Sequence, residues 1–157
     1  MRKSKKEIKD RAVIAGLLNT CHVGRLGTNS RNGYPMIKPL NFAYINDRIY
    51  FHTAKEGEKI EDIKKDSRVC FEVDLPVRYV RGTADNPCKA AYRYRSVIIL
   101  GRAHIVEDHD ERILGLSALM KKYQPEGGYG DFLKEKLDIT GVVRIDIEEM
   151  VGKEDLE

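Results

Sequence analysis

Apolar and polar residues alternate with a period of two along much of the chain, which is the pattern of half-buried β-strands. The alternation predicts six strands, at residues 21–28, 36–45, 48–54, 69–75, 96–106 and 143–147. The side chains of the third strand are predicted to alternate between its two faces. One face carries Ile49, Phe51 and Thr53, and the other carries Tyr50, His52 and Ala54.

Three segments show helical spacing instead. Apolar residues recur every three or four positions in 4–19, 58–65 and 109–123, which predicts a helix in each segment. Residues 76–92 contain three turn-forming residues and no clear period, so they are predicted to form a long loop. Residues 124–130 are rich in glycine and are expected to be irregular.

Tight-turn signals join several of the predicted strands. Asn32-Gly33 and Asn46-Asp47 follow directly on strand-like runs, and these residue types tolerate a positive φ. Strands linked by hairpins, with helices at the margins, favour a mainly β protein whose sheet closes into an antiparallel barrel. The 157 residues suit one domain, 1–157, with a modest core. So small a barrel leaves little depth for a large cofactor, and a site between two copies would solve that problem.

Charge and composition exclude several classes of protein. The formal net charge is only +3, and no face combines basic with aromatic residues, so no nucleic-acid partner is expected. No run of residues reaches the length of a membrane span, and no apolar stretch follows the basic N-terminus as in a signal peptide. The three cysteines do not resemble a secreted disulfide framework or a metal site, which indicates a cytoplasmic location.

The end of the second predicted strand is a candidate contact for a flat heterocycle. Pro39 cannot donate to a sheet ladder, so backbone groups near Leu40 and Asn41 are left free on one side. Such groups suit a ring with several hydrogen-bond donors and acceptors. The alternative is an ordinary edge strand protected by a proline.

The segment after the third strand is a candidate phosphate site. A glycine precedes the helix at 58–65, and N–H groups at a helix start attract anions. Thr53 adds a hydroxyl and Lys59 a charge. Glu56 and Glu58 flank the position and have to point away from a phosphate there. The alternative is an ordinary helix start with a solvated lysine.

A second basic element opens the fifth predicted strand. Arg95 offers a planar guanidinium suited to phosphate, and Ser96 a short donor. Alternatively, Arg93 and Arg95 form the exposed face of a strand. The sequence contains no Ser/His/Asp set, acidic pair or Walker-type loop, so hydrolase chemistry has no support and the catalytic residues stay unassigned.

At these residues the chain resembles the FMN-binding split-barrel superfamily of pyridoxamine 5'-phosphate oxidase, and within it the nitroimidazole-resistance branch. The resemblance runs in order over residues 5–153. It rests on the segments 22–27, 33–42, 49–59, 69–73, 94–103 and 145–153. Each piece is weak alone, and the ordered set is specific.

The resemblance implies a six-stranded Greek-key barrel and a homodimer that holds FMN between its protomers. It implies FMN contacts from Pro39, Leu40 and Asn41 at the ring, from His52, Thr53 and Ala54 at the ribityl and phosphate end, and from Lys59, Arg95 and Ser96 at the phosphate. It further implies an oxidoreductase that passes electrons from NAD(P)H to a small acceptor such as a nitroaromatic or a quinone.

Two departures from the family pattern qualify this function. The oxidases hold their substrate with a C-terminal Arg-x-His element, whereas here Ile145 and Asp146 follow Arg144, so pyridoxamine-phosphate oxidation is disfavoured. Glu58 stands where the oxidases carry a basic residue. The alternatives are a non-catalytic flavin-binding or storage protein, or a relative that binds haem or a deazaflavin on the same fold.

Overall fold

The computed structural model describes residues 4–30 and 32–157. These residues form eight strands: β1 (Glu7–Ile8), β2 (Gly24–Asn29), β3 (Pro35–Leu40), β4 (Ala43–Ile45), β5 (Arg48–Ala54), β6 (Arg68–Val80), β7 (Ala91–Ile105) and β8 (Thr140–Asp155). Four helices accompany them: α1 (Arg11–Thr20), α2 (Glu58–Lys65), α3 (His109–Tyr123) and α4 (Lys134–Ile139).

The sheet is antiparallel and curls back on itself. Its hydrogen-bonded order is β3-β2-β6-β7-β8-β5-β4, and the short β1 pairs with β8. The two strands at the ends of this order, β3 and β4, follow each other in the chain with only Asn41 and Phe42 between them. Because two residues span only about 7 Å, this link holds the ends of the sheet together as a barrel with one split.

The predicted mainly β class with flanking helices is confirmed, although the described residues contain eight strands where six were predicted. The predicted strand 36–45 is interrupted at its centre. There the Phe42 ring is fully buried and the Phe42 N–H donates to the Tyr123 hydroxyl at 3.0 Å instead of to a strand. The segment therefore forms β3 and β4.

The predicted loop 76–92 is wrong at both ends. β6 continues to Val80 and β7 already starts at Ala91, so the two strands form a long hairpin arm. Tyr79 and Tyr92 are paired across this arm, with their ring centroids 6.3 Å apart. Cross-strand aromatic contact stabilises a strand pair even where Pro76 shifts the register.

The first helix begins later than the sequence pattern predicted. Asp10 is the N-cap of α1, and its side chain accepts a hydrogen bond from the Ala12 N–H at 2.8 Å. Ile8 lies outside the helix, in a strand opposite Gly152, where it is buried. The helices at 58–65 and 109–123 are confirmed, whereas α4, six residues without an apolar period, was not predicted.

Strand β5 divides the core into two clusters. Ile49 and Phe51 are fully buried in the barrel interior, while Tyr50 points to the other side and packs with Leu116 and Leu119 of α3. This confirms the predicted alternation along β5. The helices of the described residues include none that is long and apolar enough to cross a membrane.

Gly24 should tolerate a side chain poorly. A Cβ at Gly24 would lie 2.1 Å from Cζ of Phe71, whose ring is fully buried against Phe42. Gly24→Ala should therefore lower the free energy of unfolding by about 1–3 kcal/mol. Urea denaturation followed by far-UV circular dichroism measures this change.

Gly16 provides the matched control. It lies inside α1, and a Cβ there would meet nothing within 4 Å. Gly16→Ala should raise the free energy of unfolding by about 0.5–1 kcal/mol, since alanine is the better helix former. Equal effects of the two substitutions would contradict the packing of Phe71 on Gly24.

Candidate functional site

The start of α2 has the geometry of a candidate anion-binding position. Gly57 precedes the helix with φ 119°, a conformation that favours glycine, and space above its Cα is empty. The Ile60 and Glu61 N–H groups donate to the Gly57 carbonyl, so the N–H groups of Glu58 and Lys59 lie ahead of the first helical hydrogen bond. No side chain of residues 4–30 or 32–157 caps this end. The backbone is thus free to approach a bound anion.

Two lysines converge beside this helix start. Lys59 is half-buried, with its Nζ 5.3 Å from the centre of the Phe51 ring. Burial lowers the pKa of Lys59, and the nearby charge of Lys38 lowers it further. Lys38 forms an ion pair with Glu58, so this carboxylate turns toward the lysines. A bound phosphate would relieve the repulsion between the two cations.

Asn41 and His52 lie together in the wall of a second feature, which we name the α3–α4 cavity. Its volume is about 410 Å³. Besides these two residues, its lining consists of Leu116, Leu119, Met120, Tyr123, Phe132, Lys136, Leu137 and Thr140. The alternation of β5 explains the position of His52, because His52 follows Tyr50 on the side that faces α3.

Tyr123 fixes one wall of this cavity. Its hydroxyl donates to the His22 carbonyl at 2.6 Å and accepts from the Phe42 N–H at 3.0 Å. The side-chain amide of Asn41 donates to the same His22 carbonyl at 3.3 Å. The link between β3 and β4 is therefore tied to the end of α3, which holds Asn41 in place.

The remaining predicted ring and ribityl contacts lie around these two features. Thr53 faces away from His52 and lines a cavity of about 520 Å³ together with Ile60 of α2. Leu40 is half-buried against the barrel core, whereas Pro39 and Ala54 are exposed. Pro39 lies on an edge strand, as predicted, with β2 on one side and no strand of the described residues on the other.

Arg95 and Ser96 lie at a different end of the sheet from Thr53. Thr53 pairs with Gly141 near the start of β8, whereas Arg95 pairs with Glu154, thirteen residues further along β8. That separation is roughly 40 Å along an extended strand. The Arg95 Nε also donates to the Glu154 carboxylate at 2.9 Å. The register of β8 thus separates Arg95 from Thr53 within one protomer.

The outer face of the sheet carries an exposed apolar stripe. Ile98 and Leu100 of β7 are each nearly half exposed, and they pair with Glu72 and Cys70 of β6. A groove of about 760 Å³ runs over this face and reaches Ile37 on β3, which is 65% exposed. Contiguous apolar surface of this kind is typical of a protein–protein contact.

Sequence reasoning missed two residues of the site. Lys38 lies in the segment 33–42 that carries the family resemblance, but nothing in the sequence pattern assigns it to a phosphate site. Tyr123 is one of the apolar positions that predict the helix 109–123. Its bonds to the β3–β4 link depend on a contact across 81 residues, which no local pattern reveals.

Comparison with solved structures shows the same fold elsewhere. A candidate 5-nitroimidazole antibiotic resistance protein from Bacteroides thetaiotaomicron is 25% identical, with a TM-score of 0.82 over 94% of this chain and 85% of that one. A flavocytochrome from Azotobacter vinelandii is 21% identical, with a TM-score of 0.84, and the match covers 100% of this chain and 72% of that one. An FAD and haem binding protein from Mycobacterium smegmatis is 18% identical, with a TM-score of 0.86, and the match covers 97% of this chain and 74% of that one.

Comparison at the level of sequence gives the family. No match is found among curated protein sequences. The family model described as pyridoxamine 5'-phosphate oxidase matches residues 10–154, which is nearly the whole chain. The predicted superfamily is thereby confirmed, and the similarity to the Bacteroides protein agrees with the predicted branch. The chain belongs to the pyridoxamine 5'-phosphate oxidase family.

Proposed function

We propose that two copies of the chain form a homodimer that binds FMN in the crevice between them. The observation that carries this proposal is the helix start of α2, where Lys59 and Lys38 converge beside an uncapped glycine. The similarity to proteins whose names include flavin and haem binding supports a cofactor of this kind.

The phosphate of FMN would lie at the α2 helix start. Its two negative charges would meet Lys59, Lys38 and the N–H groups before the first helical bond. Glu58 already neutralises part of the charge of Lys38, so Lys59 provides the principal ionic contact. The ribityl chain would then run toward the ring along the backbone of Ala54, Thr53 and His52, whose side chains alternate between the two faces of β5.

A second protomer would complete the site. The isoalloxazine ring would lie along Pro39, Leu40 and Asn41, at the edge of the split barrel, with one face left open to a partner. The exposed apolar stripe on the outer sheet face provides a contact surface for that partner. Arg95 and Ser96 would then reach the phosphate from the partner, since the register of β8 separates them from Thr53 in their own chain.

The proposed reaction transfers two electrons from NAD(P)H to a small acceptor such as a quinone or a nitroaromatic. Bound FMN would supply the redox chemistry, and the chain's own residues bind and orient it. NAD(P)H gives up a hydride, and a quinone takes up that hydride and one proton from solvent. The guanidinium of Arg144 is held by Glu111 and Asp146, which supports a substrate other than pyridoxamine phosphate.

Lys59→Ala should weaken FMN binding by about 1–3 kcal/mol, because a half-buried charge-assisted contact to the phosphate is lost. Lys65→Ala is the matched control, since Lys65 lies on the same helix but is exposed at its other end. Fluorescence titration of the apoprotein with FMN measures both affinities. Equal affinities of the two variants would place the phosphate elsewhere.

The FMN-loaded protein should be reduced by NADH or NADPH faster than free FMN. Stopped-flow absorbance near 450 nm follows the bleaching of the flavin after anaerobic mixing. Bleaching at the rate of free FMN would favour a flavin-binding or storage protein, and a Soret band in the purified protein would indicate haem instead.

A further inference from the structure

We propose that the α3–α4 cavity binds an aromatic carboxylic acid, and that acids of this class that carry a nitro group are electron acceptors of the protein. The second half of this statement rests on the proposed function, whereas the binding site itself does not.

The walls select a flat apolar molecule. Leu116, Leu119 and Met120 of α3 form one side, and Phe132 and Leu137 form the other. A volume of about 410 Å³ is within the range of small-molecule sites and suits one or two aromatic rings. Apolar walls with a few placed polar groups are the usual composition of such sites.

The wall that carries α4 is held rigidly. The Arg112 guanidinium donates to the Leu137 carbonyl and to the Thr140 carbonyl, the latter at 2.8 Å. The Thr140 hydroxyl in turn donates to the Lys136 carbonyl at 2.8 Å. These bonds satisfy the carbonyl end of a short helix, so the cavity exists before any ligand enters.

The free polar groups select an acid. Tyr123 and the side-chain N–H of Asn41 are already bonded to the His22 carbonyl. The His52 imidazole and the Lys136 ammonium have no hydrogen-bond partner among the described residues. Of the described side chains that line the cavity, Lys136 alone carries a formal charge. A carboxylate at the rim would pair with it.

The position of the cavity connects it with the proposed cofactor. Asn41 lies both in this wall and among the predicted contacts of the flavin ring, so the proposed function places a ligand here beside the ring end of the cofactor. A nitro group on such a ligand would accept two electrons and two protons and become a nitroso group with release of water. NAD(P)H supplies the hydride, and solvent supplies the second proton.

Isothermal titration calorimetry of the FMN-loaded protein with two matched probes tests the site. The probes are 4-nitrobenzoate and 4-nitrobenzamide, which have the same ring and nitro group but differ in charge. The benzoate should bind more tightly than the amide. Leu137→Trp, which fills the cavity, should weaken both probes about tenfold, whereas Ile139→Trp, on the same helix but 66% exposed, should weaken neither.

Charge reversal at the rim tests the acid preference with little effect on folding, since Lys136 is exposed. Lys136→Glu should weaken 4-nitrobenzoate about fivefold, and the control Lys134→Glu less than twofold. In turnover assays the same Lys136 variant should raise the KM for the benzoate and leave FMN content unchanged.

Two results would overturn the inference. One is that 4-nitrobenzamide binds as tightly as 4-nitrobenzoate. The other is that the Leu137→Trp and Ile139→Trp variants bind the probes with equal affinity. If the protein retains no FMN or is not reduced by NAD(P)H, the proposed function fails. The calorimetric comparison on the purified protein still decides the binding site in that case, so the two failures are distinguishable.

Discussion

The two-residue link between β3 and β4 is the constraint on which the site depends. Asn41 and Phe42 are too few to let the ends of the sheet separate, so the sheet must curl into a split barrel. The buried Phe42 ring and the Phe42 bond to Tyr123 fix this link against α3. The split leaves β3 as an edge strand, from which Lys38 reaches Glu58 at the start of α2.

Charge supports the proposal that the helix start of α2 binds the phosphate. A half-buried lysine next to a second lysine is electrostatically costly, and the lowered pKa of Lys59 reflects that cost. Several other cations of the described residues have a carboxylate partner, such as Arg25 with Glu72 and Arg102 with Glu148. Lys59 is half-buried and has none among the described residues, which supports the proposal that an anionic ligand binds beside it.

The sequence predicted the elements of this site better than their arrangement. Period-two alternation located β5 and correctly turned Phe51 and Tyr50 to opposite sides, because that alternation depends only on neighbouring residues. The break at Phe42, the bond to Tyr123 and the extension of β6 to Val80 depend on partners far along the chain. Local patterns carry no information about such partners.

The same distinction applies to the two cations of the predicted phosphate site. Residue type alone suggested that Lys59 and Arg95 act on one phosphate. The register of β8 shows that Arg95 and the Thr53 end of β5 lie at different ends of the sheet in one protomer, because Thr53 pairs with Gly141 and Arg95 pairs with Glu154. A shared site therefore requires that the two cations come from different copies of the chain.

Mixed dimers test this central claim most directly. Lys59→Ala and Arg95→Ala chains are each purified, mixed in equal amounts, allowed to exchange subunits and titrated with FMN. If the site is shared, each mixed dimer contains one site with both cations and one with neither. Tight FMN binding should then return at about a quarter of all sites. A mixture that binds FMN no better than either variant alone would contradict the account.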